Sequence, residues 1–438
     1  MLLLLFSLVF YAWGEPLNIL LMLFSIGVNY LFALGIGRYR ERARLFLVLS
    51  VVVNLGMLGI FKYTGFLIEN LNRIPGVRLP GWETALPIGI SFYTFQMLSY
   101  VIDVYRKETE VQRDIFALGA YLAAFPQLIA GPIVRYSTVA DELENRTETM
   151  DDLADGLRRF FAGLAKKVLI ANTMAKAADS LFTLMPEEYG AVGAWIAVFA
   201  YTMQIYFDFS GYSDMAIGMG RMMGFHYLEN FNYPYIAKSV TDFWRRWHIS
   251  LSTFFRDYVY IPLGGNRVSK PRWLFNIAVV WMLTGLWHGA SWNFILWGVY
   301  FGVLLILEKL FWGKRMEKLP FLRHVYTMML VVFGWVFFRS ETLTYAGKML
   351  SAMFGKYGLM PQRLPIVLQA GGVDLFFVLA AVVSIVLAAP FWPKVLKPVL
   401  AKNKAGRMAM DISTVAALLL CLLSLAIGSY NPFIYFRF

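Results

Sequence analysis

The sequence is poor in charge. Only 16% of its 438 residues are Asp, Glu, Lys or Arg, against 59% apolar, whereas soluble domains carry about a quarter charged residues. Water-soluble domains of this total length need polar shells, and the residues to build them are missing. Cysteine occurs once, as Cys421, so no internal disulfide and no cysteine-based metal cage can form. Histidine occurs four times, as His226, His248, His288 and His324, with no pair at zinc spacing and no His-Glu-x-x-His motif. A metal site is therefore not expected. Neither a Gly-x-Ser-x-Gly elbow nor a phosphate-binding glycine loop is present, which argues against a serine hydrolase and an ATP-driven pump. No solenoid repeat and no Ser- or Pro-rich linker divides the chain, so one membrane domain over residues 1–438 is expected.

What abounds is apolar sequence, with aromatics at 17% and a positive mean hydropathy. Stretches free of Asp, Glu, Lys and Arg run over 1–14, 16–37, 45–61, 84–102, 115–134, 189–207, 273–307, 324–338, 375–393 and 412–436. A spanning helix needs about 20 mostly apolar residues. Six of the runs have 19 to 25 residues and can each cross once. The run 273–307, with 35, has room for two passes or for one pass and a buried re-entrant piece. The pattern predicts an all-α polytopic membrane protein with about nine to twelve crossings. The first 14 residues lack a basic start and a small-residue cleavage site, and read as part of a membrane helix rather than a secretory signal. The net charge of +12 fits this class, because Lys and Arg accumulate in cytoplasmic loops. No nucleic-acid partner is expected.

Three polar stretches interrupt the apolar pattern. Arg38–Arg44 holds four arginines and one glutamate and reads as a cytoplasmic turn. Residues 141–155 are strongly acidic, and Leu157, Phe160, Phe161, Leu164 and Val168 then recur at helical spacing with Arg158, Arg159, Lys166 and Lys167 between them. Such a helix can lie in the interface with its cations near lipid phosphates, or be an ordinary surface helix end. Lys238–Arg272 carries seven cations and two acids in 35 residues, yet is crowded with Phe243, Trp244, Trp247, Phe254, Phe255, Tyr258 and Tyr260. That mixture suits a segment dipping partly into the membrane, its charges facing protein or a water-filled cavity.

His288 stands near the middle of the longest charge-free run, in Leu286-Trp-His-Gly-Ala-Ser-Trp-Asn293. An ionisable group at membrane depth is costly and marks a functional candidate, the alternative being a histidine that only links helices. If 281–300 is one helix, Thr284 and Ser291 share its face, at i−4 and i+3, and either can orient the ring. A desolvated imidazole tends to stay neutral, the form a general base needs. Gly289 either thins the wall for a substrate or serves packing. His248 follows Trp244-Arg245-Arg246-Trp247, whose arginines suit a phosphate, on a lipid headgroup or on an acyl donor. His226 and His324 lie beside charged or turn-like residues and read as structural.

Trp244-Arg-Arg-Trp-His248-Ile-Ser-Leu-Ser252, Arg256-Asp257-Tyr258, Ile261-Pro-Leu-Gly-Gly-Asn-Arg267 and Leu286-Trp-His288-Gly-Ala290 together resemble the signature of the membrane-bound O-acyltransferases, in the branch that O-acetylates alginate. Leu86–Tyr93, Ile102–Arg106, Ile129–Pro132, Tyr206–Ala216 and Phe433–Phe438 agree with it. The resemblance spans nearly the whole chain, with its signature core at about 86–310. It implies a ring of about eleven helices, with re-entrant and interfacial helices, around a central tunnel. By motif match His288 is catalytic and His248 is the second family histidine. Trp244, Arg245, Arg246, Trp247, Arg256, Asp257, Thr284, Trp287, Ser291 and Asn293 become candidates for donor binding or tunnel lining.

The implied activity is transfer of an acetyl group from a cytosolic thioester, acetyl-CoA or an acyl carrier, toward an exported polysaccharide in a bacterial inner membrane. No bound cofactor is expected. The partners implied are membrane lipids, the donor, the polysaccharide and a periplasmic or extracellular SGNH-type acetyltransferase. D-alanyl transfer to teichoic acid and a non-catalytic transporter are the alternatives. Two departures from the family pattern stand out: Gln127 occupies a position where alginate-type relatives often have histidine, and the amino end is short, so an outer helix is expected to be incomplete.

Overall fold

The computed structural model describes residues 1–82, 84–129, 131–316, 318–428 and 433–434, and these are helical with no strand among them. Among the described residues six helices are long and apolar enough to cross a membrane: Ile19–Arg38, Arg40–Leu71, Gly190–Met222, Trp292–Trp312, Phe321–Arg339 and Lys404–Ala426. Leu364–Ala370 and Leu375–Leu387, bent by 80°, make a seventh if taken as one span. The protein is thus a multi-pass membrane protein. The count is below the nine to twelve inferred from charge-free runs, because several runs are not single helices. Run 115–134 breaks at Ala124, before Pro126, and run 273–307 breaks after His288.

The chain forms two compact units. The first comprises residues 1–157, 216–229 and 253–259, and the second comprises 158–215, 230–252 and 260–438. In the first, α1 (Leu2–Gly14), α2 (Ile19–Arg38), α3 (Ala43–Leu71), α4 (Ile90–Arg106) and α5 (Ile115–Ala123) surround a core that includes Met22, Tyr93, Met97, Tyr100 and Tyr121. The basic stretch Arg38–Arg44 is the tight turn between α2 and α3. Those two helices are joined by a buried clasp: Asn54 Nδ2 donates to Asn29 Oδ1 at 2.7 Å, and Ser50 Oγ to the same oxygen at 2.8 Å. Lipid gives apolar faces no reason to associate, so interhelical hydrogen bonds of this kind carry register and affinity. Before α4, Gly89 has φ +77°, and a Cβ there would lie 2.8 Å from the carbonyl oxygen of Leu128. Only glycine fits that turn.

In the second unit the amphipathic stretch beginning at Arg158 is helical, and three of its four cations are paired within the protein. Arg159 Nη2 and Lys166 Nζ both bind Asp214, at 2.9 and 2.6 Å, and Lys167 pairs with Asp208. Both aspartates lie on α6 (Gly190–Met222). Buried carboxylates need paired cations, and the neighbouring helix supplies them. The close approach is set by Gly163, whose Cβ would meet the carbonyl of Gly211.

The run 273–307 folds into the most extensive helix pair of this unit, α7 (Lys270–His288) and α8 (Trp292–Leu307). Glycines bring the two backbones together. A Cβ at Gly285 would strike the carbonyl of Phe294, and one at Gly298 the carbonyl of Trp281. Gly298→Val should therefore wedge this pair apart, at a cost of about 1–3 kcal/mol, the usual scale of overpacking. A lowered midpoint of thermal unfolding in detergent, with His288 untouched, checks this.

Candidate functional site

The segment carrying His248 is built from short pieces held at both ends. Ser239 Oγ accepts from Asp242 N and starts the short helix Val240–Trp244. The carboxylate of Glu308 is buried and accepts from Val240 N at 2.7 Å, Thr241 N at 3.2 Å and Thr241 Oγ1 at 2.8 Å. Glu308 had no functional weight in the sequence reading; its signal there was a single acid closing a long charge-free run. At the other end, Asn232 N donates to the carbonyl of Arg246 and Ile249 N to that of Asn230, both at 2.9 Å. Between these anchors His248 adopts φ +44°, a left-handed conformation that a histidine rarely takes. Such strain costs about 1–3 kcal/mol and persists only where the surroundings over-determine it.

Phe243, Trp244 and Trp247 of this segment pack into an aromatic cluster next to His248. Trp244 stacks edge-on against Phe301 and Trp281, and Trp247 packs on Trp335 and Phe231. His248 is buried, with the ring centre of Phe209 4.6 Å from its own and the two planes at 85°. His288, also buried, closes α7 and lies among Trp297 at 4.9 Å, Trp287 at 5.0 Å and Phe338 at 5.2 Å. Trp287 touches both imidazoles, 5.8 Å from His248 and 5.0 Å from His288, so the two rings lie within about 11 Å of each other. Burial pushes the His248 imidazole down to about 3, which keeps it neutral. The chain's end comes to the same neighbourhood. Phe433 packs on Phe209, and Ile434 N donates to Asp208 at 2.7 Å. The remaining residues of that terminal motif lie outside the described ones.

Other candidates take different places. Residues 281–300 are not one helix. The chain leaves the helix at Gly289, which is extended, and restarts at Trp292 with Ser291 as the residue before it. Ser291 therefore does not share a helical face with His288. Gly289 serves packing, since a Cβ there would overlap the ring of Phe294. Thr284 donates its hydroxyl hydrogen to the carbonyl of Val280 at 2.7 Å, its own helix. Asn293 Nδ2 donates to the carbonyl of Ser340 and ties α8 to the end of Pro320–Arg339. Of the two arginines, Arg246 is engaged by Asp242 at 2.8 Å and by the Asn232 carbonyl at 3.1 Å, while Arg245 is exposed. His324 Nδ1 stands 3.0 Å from the carbonyl of Ala237, consistent with the structural role expected of it.

Arg256 and Asp257 belong to the first unit. Asp257 accepts from Arg256 Nε and Arg135 Nη2, each at 2.6 Å. The guanidinium of Arg135 sits 4.9 Å from the centre of the Tyr258 ring, whose hydroxyl donates to Asp103 at 2.7 Å. His226, in the same unit, lies against Glu142 at 2.8 Å. Gln127 is buried there and donates to the carbonyl of Tyr121 at 2.6 Å. No cluster of three or more His, Cys, Asp or Glu able to hold a metal ion occurs among the described residues.

Comparison with known proteins places these motifs in context. The model of the membrane-bound O-acyltransferase family matches residues 111–343. The probable alginate O-acetylase AlgI of Pseudomonas aeruginosa is 47% identical over 365 residues, covering 81% of this chain and 69% of the relative. Its counterpart in Azotobacter vinelandii is 42% identical and covers 100% of this chain and 94% of the relative. The peptidoglycan O-acetyltransferase of Helicobacter pylori is 37% identical, covering 81% and 73%.

The Asp257 contacts generate a pH dependence. Burial alone raises its carboxyl, but the Arg256 and Arg135 guanidinium groups outweigh that and hold it below the usual carboxylate range. A depressed folded value means stability that is present above the unfolded value and lost as pH falls through the folded one. Asp257→Asn should lower the unfolding temperature at pH 7. That difference should shrink below about pH 4, where the ordinary carboxylate range ends. Melting curves of both proteins across pH check this.

Proposed function

Because the chain belongs to the membrane-bound O-acyltransferase family and is an acyltransferase, we propose that it O-acetylates an exported polysaccharide, drawing the acetyl group from a cytosolic thioester. The observation that carries this reading is the pair of buried motif histidines, His248 and His288, both in ring contact with the Trp287 indole. The acetyl group and the glycan acceptor are supported by the O-acetylating relatives, which act on alginate and peptidoglycan. The ring of about eleven helices around a tunnel, the bacterial inner membrane and an SGNH-type partner belong to the same reading, on the strength of family membership.

In this mechanism His288 takes the proton from an acceptor hydroxyl as its oxygen attacks the thioester carbonyl carbon. The tetrahedral intermediate collapses with cleavage of the carbon–sulfur bond, and the proton passes from His288 to the departing thiolate. His288 suits the task because it closes α7, and the carbonyl end of a helix favours a cation. A ring that must be positive between the two proton transfers benefits from that field. His248 addresses the acceptor. The aromatic wall excludes water, which would otherwise compete for the acyl group.

His288→Ala in reconstituted vesicles should lose about 10²-fold or more of acetyl transfer and of donor hydrolysis, the usual contribution of general-base catalysis. Radiolabelled acetyl transfer from acetyl-CoA or from an acetylated acyl carrier protein measures it. Undiminished turnover would remove the assignment of His288.

A further inference from the structure

Asn230 holds the key to what His248 can do. Its Oδ1 lies 3.1 Å from Ser250 N, 2.9 Å from Ser250 Oγ and 3.2 Å from His248 Nδ1. A backbone N–H can only donate, so the amide atom facing Ser250 N is the oxygen, and the orientation of the Asn230 amide is fixed. An amide oxygen can only accept. The Ser250 hydroxyl also faces Nδ1, at 3.4 Å, but gives its hydrogen to Asn230 Oδ1 at the shorter 2.9 Å, so the hydrogen between Asn230 and His248 sits on Nδ1. A neutral imidazole carries one hydrogen, so Nε2 presents a lone pair. That Nε2 is buried and has no hydrogen-bond partner among the described residues. A buried acceptor without a partner is costly, and native folds keep few of them. The backbone supports the same arrangement: the Ile249 N to Asn230 carbonyl bond holds the left-handed turn at His248 against the loop carrying Asn230.

We infer that Asn230 is a positioning residue that locks His248 in the Nδ1–H tautomer, so that Nε2 accepts a hydrogen bond from the hydroxyl group of the acyl acceptor. The hydroxyl as ligand rests on the O-acyl transfer reading above; the tautomer does not. The lock separates two roles for this histidine. Stabilising the oxyanion of a tetrahedral intermediate requires a donor, and a ring whose only hydrogen is held by Asn230 has none to offer from Nε2. His248 instead receives the acceptor O–H and aligns its oxygen, while His288 removes the proton during attack.

The chain's four histidines make the test tractable, because selective 15N labelling of histidine yields few ring signals. The His248 pair is identified by its loss in His248→Gln. In the wild-type protein, measured without substrate or turnover, Nδ1 should carry the hydrogen and Nε2 should show a pyridine-type shift. A wild-type His248 protonated on Nε2 overturns the lock, whether or not any variant folds. Asn230→Leu should move hydrogen to Nε2 and lower kcat by about 10²-fold or more, with the KM for the thioester unchanged. Asn230→Asp keeps an accepting oxygen and should restore both the tautomer and most of kcat. Leu and Asp variants that behave alike would overturn the positioning role. A wild-type spectrum of the expected form in a protein that transfers no acyl group would overturn the hydroxyl ligand and the O-acyl transfer reading, and leave the tautomer standing.

Discussion

Burial of imidazole among aromatic rings is the constraint on which the second unit turns. Apolar surroundings disfavour the charged ring, so a histidine placed there stays neutral and keeps a lone pair. His248 meets that condition with Phe209 edge-on, His288 lies among Trp297 and Phe338, and Trp287 is in contact with both rings. The seven aromatic residues of the 238–272 stretch divide between the units. Phe243, Trp244 and Trp247 cluster next to His248, and Phe254, Phe255 and Tyr258 pack in the first unit, with Phe254 stacked on Phe95 at 4.1 Å. A charged, aromatic segment that suits neither water nor lipid makes sense once its tryptophans face inward and Arg246 and Arg256 are held in ion pairs.

The sequence exposed this arrangement unevenly. The membrane class follows from the shortage of charge, and His288 from its isolation in a charge-free run, because both depend on composition along the chain. What failed was continuity. A charge-free run says nothing about where the backbone changes direction, and the break after His288 moved Ser291 off the face assigned to it. Thr284 and Arg246 were candidates by residue type, yet each is satisfied locally, by Val280 and by Asp242. Short polar side chains in helices commonly bond to their own backbone, and periodicity does not reveal it. Arg159, Lys166 and Lys167 have aspartate partners about 40 to 55 positions away, and only the fold brings these together.

Asn230 and Glu308 were missed for a related reason. Neither belongs to a pattern, and both act at long range on backbone groups of the histidine segment. Their sequence signals are faint: an asparagine in a turn-forming stretch, and one acid after a long apolar run. Polar side chains that hold a loop in place are recognisable only once the loop's orphan N–H groups are visible. Local rules that natural sequences usually obey are broken between residues 230 and 250, where a histidine adopts a left-handed conformation and a buried ring nitrogen lacks a partner among the described residues. Concentrated violations of this kind are expected where function, rather than stability, has set the residue.

The two histidines also differ in what lies beyond the ring, and this divides their work. His288 terminates a 19-residue helix, whose unsatisfied carbonyls create a field that favours a cation within the last turn. His248 sits in a tight turn instead, with one nitrogen committed to Asn230. One ring is placed to hold a proton briefly, and the other to remain neutral while it aligns an O–H. Environments that bias paired titratable groups in opposite directions are how a site assigns acid–base roles. Here one indole contacts both rings, and the distinction comes from a helix end at His288 and from a left-handed turn with the Asn230 side chain at His248.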